Sequence, residues 1–135
     1  MTALLLLPRS AADLTRGRGP LAALLGIGLG AWAWFVAFLV VLGFLRGPLY
    51  GVVDPGPYDD AWGGPSLAGA WTVHALVWVG VLAVALGMWR ALARLHAAVV
   101  EHLAGSRRRV WPVPVAVLLL VLAGGFVVLW TRQLG

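Results

Sequence analysis

Polar and turn-forming residues divide the chain into three long apolar stretches. Leu21 to Leu45 and Val113 to Trp130 carry no charge, and Ala68 to Trp89 holds His74 as its only ionisable group. A bilayer core about 30 Å thick asks for roughly 20 largely apolar residues per helix, and each stretch is of that order. A chain of 135 residues offers nothing to bury three such helices against except lipid. The spans are therefore expected at residues 21–45, 68–89 and 113–130.

The N-terminal stretch MTALLLLP has an apolar run of only five residues, Ala3 to Leu7, before Pro8 and Arg9, with no basic residue ahead of it. That is not the layout of a secretory signal. It is expected to lie on the membrane surface, followed by a short helical turn from Ser10 to Thr15, with Ser10 and Asp13 as a capping signal. The segment RGPLYGVVDPGPYDDAWGGPS, residues 46–66, is dense in Pro and Gly, which favours turns and argues against helix. Its aromatics Tyr50, Tyr58 and Trp62 point to a structured loop on the membrane surface. Asp54, Asp59 and Asp60 do not have the spacing of a calcium loop.

The second helix need not stop where its apolar stretch does. Residues 67–104 contain no proline, and Gly105 is a stop signal, so a rod of roughly 57 Å is expected. In its extension Leu92, Leu95, Val99 and Leu103 share one side, while Arg90, Arg94 and Glu101 lie elsewhere. Such a surface suits lipid, a second copy, or a cytoplasmic partner.

Charge supplies direction. All ten basic residues are arginine. Arg9, Arg16 and Arg18 precede the first span, and Arg90, Arg94, Arg107, Arg108 and Arg109 lie between the second and third. Only Arg46 and Arg132 fall on the other side. Basic loops stay in the cytoplasm. The expected arrangement is a cytoplasmic N-terminus, an outer loop 46–66, a cytoplasmic loop 90–111 and an extracytoplasmic C-terminus. Trp89 and Trp111 then mark the inner interface, and Trp71 and Trp130 the outer one. Arg107, Arg108 and Arg109 meet the anionic inner leaflet. The same reading makes a nucleic-acid groove unnecessary as an explanation of the net charge of +5. The excess of Arg, Ala, Gly, Val and Leu suggests a GC-rich bacterial genome, and the expected membrane is a bacterial plasma membrane.

Gly26, Gly28 and Gly30 lie inside an apolar helix with no strand before them, so they are not a nucleotide loop. Gly26 with Gly30, and Ala83 with Gly87, place small residues four apart, where another helix can approach closely. The approaching helix belongs to this bundle or to another subunit. Trp32 and Trp34 sit mid-span and are not interface anchors; they fill the bundle or dock on a partner.

His74 is the main chemical candidate. An ionisable group inside a span is a functional hypothesis by default. Trp71 and Trp78 flank it at minus three and plus four on one face, giving a candidate ligand or pH-sensing trio. Against this stands a structural role, with the ring bonded to a carbonyl, a loop group or water. Bis-histidine haem ligation needs a second chain, because His96 and His102 lie far along the same helix. With no cysteine, no metal cluster and no nucleophile–base pair, no enzyme, metal or cofactor is expected.

The run GPYDDAWGGPSLAGAWTVHA, Gly56 to Ala75, resembles a stretch of small, uncharacterised multi-pass membrane proteins of actinobacteria. Some similar membrane modules are sensor domains beside histidine kinases. The resemblance covers about residues 45–105 and transfers no catalytic residue. It implies a sensory role whose output belongs to another protein.

Together these features predict an all-α integral membrane bundle of three transmembrane helices. It has a structured outer loop and a cytoplasmic extension of the second helix, in one membrane domain over residues 1–135. The expected function is a non-catalytic accessory or sensory subunit working through helix contacts, with a membrane-protein partner or homo-oligomer. The alternative is an oligomeric small transporter or channel component.

Overall fold

A computed structural model describes residues 3–15, 19–105 and 110–133. After a 3-10 turn at Ala3–Leu5 come α1 (Leu6–Thr15), α2 (Pro20–Arg46), α3 (Tyr50–Val53), α4 (Leu67–Leu103) and α5 (Pro112–Arg132). No strand occurs among the described residues. Helices α2, α4 and α5 are each long and apolar enough to cross a membrane.

Local chemistry sets the helix ends. Pro20 and Pro112 open α2 and α5, where a missing N–H costs nothing. Ser66 caps α4: its Oγ accepts the Gly69 N–H at 3.2 Å and its carbonyl accepts the Ala70 N–H at 3.0 Å. At the far end Gly105 takes φ +72°, the left-handed conformation that releases a chain from a helix, and donates its N–H to His102 O.

The chain divides into two compact units, Met1–Trp34 with Trp89–Gly135, and Phe35–Met88. In the first, α1 packs on the opening half of α2. A Cβ built on Gly30 would lie 2.7 Å from Leu7 Cβ, and one on Gly26 would lie 2.9 Å from Ser10 Cβ. Only glycine permits this approach. Ala3 and Leu6 are fully buried and Ser10 nearly so. The N-terminal segment thus packs against its own chain. The helix starts at Leu6, not Ser10, because Pro8 falls in its first turn, where proline is tolerated. Ser10 is consequently an interior position and not a cap.

The closing half of α4 runs antiparallel to the same half of α2. Trp89 Nε1 donates to Ala33 O at 3.0 Å, and a Cβ on Gly26 would meet His96. The stripe Leu92, Leu95 and Val99 is buried here, while Leu103 remains exposed. The amphipathic face expected to rest on lipid or a partner is therefore largely covered by this chain. Trp34, on the exposed side of α2, donates from Nε1 to Leu4 O at 3.0 Å. Trp32 meets Phe126 of α5 edge-on, with ring centroids 6.0 Å apart, and Gly28 makes room for Leu120. In α5 only Pro112 and Ala116 are buried. Leu118, Val121, Leu122 and Leu129 point outward, an apolar face suited to a lipid solvent.

In the second unit the closing half of α2 lies against the opening half of α4. Here Gly43 and Gly47, a second glycine pair four apart, receive Trp78; a Cβ on Gly47 would lie 2.7 Å from Trp78 Cβ. Trp78 Nε1 donates to Val40 O at 3.0 Å, and its ring meets Phe44 edge-on at 5.4 Å. The connecting loop contains one element that its Pro and Gly content argued against, the short helix α3. It forms because Pro48 precedes it and the four residues Tyr50–Val53 hold no proline; Asp54 N closes it on Tyr50 O at 2.8 Å. Beyond it the loop folds back on α4, where Gly63, at φ +84°, comes against Gly69 and Val73.

Candidate functional site

The polar groups of the second unit gather where α2 ends, α3 turns and α4 begins. His74 is half-buried on α4. Its Nδ1 lies 2.7 Å from Ala70 O. A carbonyl only accepts, so Nδ1 carries a proton, and in the neutral tautomer this leaves the lone pair on Nε2. Among the described residues nothing is hydrogen-bonded to Nε2.

The imidazole stacks on Tyr50, with ring centroids 4.0 Å apart and planes 15° from parallel. Tyr50 in turn tilts against Tyr58 at 6.2 Å. The loop around Tyr58 is tied locally: its hydroxyl donates to Asp54 O at 2.8 Å, and Asp54 Oδ1 accepts the Gly56 N–H at 3.1 Å. Burial, and then the adjacent Asp54 carboxylate, push the Tyr50 phenol above its ordinary pKa. Arg46 closes the arrangement from the last turn of α2, where a cation also complements the helix dipole. Arg46, Tyr50, Val53, Asp54 and His74 line a pocket of about 200 Å³.

The trio read along α4 is divided. Trp71 donates from Nε1 to Pro48 O at 2.9 Å and lines a different, apolar pocket with Leu49, Val52 and Leu67. Trp78 turns toward Val40 and the Gly43–Gly47 groove. The ring that meets His74 face to face is Tyr50, from the loop. Sequence spacing missed Arg46, Tyr50 and Asp54 as site residues. The only available signal was the concentration of aromatics and acids in residues 46–66, which does not say which of them meets the helix.

Of the small residues, Gly26 and Gly30 receive α1 within the chain, whereas Ala83 is exposed and Gly87 faces open space. Arg107, Arg108 and Arg109 lie outside the described residues. A second polar pocket, of about 340 Å³, occurs in the first unit, where Ser10, Asp13 and His96 meet beside Val100. Farther along α4, His102 Nδ1 is buried without a hydrogen-bond partner. Among the described residues no three His, Asp or Glu groups are placed to share a metal ion. Comparison of the chain with known families, curated proteins and solved structures finds no match.

Proposed function

We propose that this chain is a non-catalytic accessory or sensory subunit of a bacterial plasma membrane, in which the pocket at His74 recognises a ligand and helix contacts carry the result to a partner. One observation carries the reading. The loop ring Tyr50 lies directly on His74, and one turn further along α4 Trp78 fills the Gly43–Gly47 groove at the end of α2. Anything that moves Tyr50 or His74 bears on the α2–α4 contact of that unit. The partner holds the output, as the resemblance to sensor membrane modules implies.

Arginine asymmetry supports a cytoplasmic N-terminus and, with it, an extracytoplasmic pocket. The apolar outer faces of α4 and α5 are available to lipid and to a partner helix. On α4, Gly80, Ala83 and Gly87 fall on one exposed face, with open space at both glycines. The same face favours a second reading, a homomeric ring of a small transporter or channel.

Purification from membranes in mild detergent tests the choice. A stable companion of different mass supports the subunit reading. A homomeric ring supports the pore, and a bare monomer with no companion removes both.

A further inference from the structure

The pocket beneath Tyr50 holds one group of each charge, and they do not neutralise each other. Among the described residues no ion pair joins Arg46 to Asp54. Between them lies a space of about 200 Å³. This is below the roughly 300–1,000 Å³ typical of larger ligands and equals roughly six or seven water volumes.

The donors and acceptors narrow what fits. Arg46 offers only donors, in a fork that matches the oxygens of phosphate. Asp54 offers acceptors, one of them used by Gly56 and the carboxylate also facing the Tyr50 hydroxyl. His74 in its neutral tautomer offers Nε2 as an acceptor, since Nδ1 donates its hydrogen to Ala70 O. A lone anion meets the Asp54 carboxylate, and a lone cation meets Arg46. An apolar molecule leaves all of them without partners. A dipolar ion with an oxyanion at one end and N–H donors at the other satisfies both ends. The pocket also sits just past the apolar run of α2, at the end of a candidate span, where lipid phosphates lie.

We propose that Arg46, Tyr50, Asp54 and His74 bind a compact primary-amine phosphate zwitterion, of the phosphoethanolamine type, free or as a lipid headgroup. Arg46 takes the phosphate oxygens. Asp54 and His74 Nε2 accept from the ammonium, and the Tyr50 ring holds the imidazole in place. The inference rests on the reading of this pocket as a recognition site.

The test uses the whole chain in detergent, titrated calorimetrically with phosphoethanolamine and with phosphocholine. The latter has the same charges but no N–H to donate. Phosphoethanolamine is expected to bind at least tenfold more tightly. R46Q and D54N are each expected to weaken it at least tenfold, with circular dichroism unchanged. Equal binding of the two probes, binding of neither, or binding indifferent to R46Q and D54N overturns the proposal. The two-probe comparison needs no variant, so it stands even where a substitution fails to fold. Native mass spectrometry from mixed phosphatidylethanolamine and phosphatidylcholine nanodiscs then separates the sources. Selective retention of the ethanolamine lipid assigns a headgroup, and its absence beside soluble binding assigns a free solute. A partner that co-purifies while neither probe binds removes the zwitterion and leaves the subunit reading in place.

Discussion

The Tyr50 ring lies flat on the His74 imidazole, 4.0 Å between centroids, joining a four-residue loop helix to the second long apolar helix. The contact fixes α3 relative to α4, and Tyr58 supports Tyr50 from the loop side. Aromatic pairs contribute about 0.5–1.5 kcal/mol beyond their buried area. Y50A is expected to lower stability by at least that much, and Y50F to leave it near the parent value. Thermal unfolding in one detergent measures both; a Y50F loss as large as that of Y50A removes the stack as the cause.

The Tyr50 phenol has a testable titration. Its pKa is raised by burial and then by Asp54, so folding favours the protonated ring. That stabilisation is complete below the ordinary tyrosine pKa and is lost as pH rises through the raised value. Difference absorbance between the parent and Y50F should show phenolate forming later than in free tyrosine. D54N should shift the midpoint downward, and no shift on D54N excludes the carboxylate as a contributor.

Two glycine pairs, Gly26–Gly30 on α2 and Gly43–Gly47 across its end, are filled from within the chain, and one small-residue face of α4 is not. G30L forces a side chain into Leu7 and should destabilise by about 1–3 kcal/mol or more, the usual cost of overpacking, with α1 exposed to protease. G80L and G87L meet open space and should leave the fold intact. If that face binds a partner, they reduce co-purification. Equal losses of stability for all three would contradict the packing described.

Trp78 combines a hydrogen bond and a ring in one groove. W78F deletes the bond to Val40 O and keeps most of the ring, for an expected loss of about 0.5–1.5 kcal/mol. W78A also empties the groove and should cost about 3–5 kcal/mol. Equal losses for the two would show that the hydrogen bond, not the packing, holds this contact.

Threading is open to a direct test, because the chain has no cysteine to interfere. D59C should react with a membrane-impermeant maleimide on intact cells, and S106C only after the membrane is opened. The opposite pattern reverses the orientation.

How much of the site could be read in advance differs residue by residue. His74 stood out because it is the only ionisable group in its apolar stretch. Its hydrogen bond to Ala70, four residues earlier, is local and lay within reach of helix periodicity. Tyr50, Asp54 and Arg46 were visible as loop and helix-end residues, yet nothing in their spacing tied them to His74. Trp71 and Trp78 share its helix face, but their rings leave for Pro48 and Val40.

The sequence by itself determined the long apolar elements. Three uninterrupted apolar runs are long enough to cross a membrane, and prolines, Ser66 and Gly105 set the ends of α2, α4 and α5 within a residue or two, because those choices depend on neighbours along the chain. The continuous second helix, Leu67–Leu103, followed from the same local logic. Only the tertiary structure decided what each face meets. It gave α1 to Gly26 and Gly30, Trp78 to Gly43 and Gly47, the Leu92–Val99 stripe to the interior, and Tyr50 to His74. Periodicity tells which side chains share a face; the chain segment that comes to cover that face is fixed by packing between residues distant in sequence.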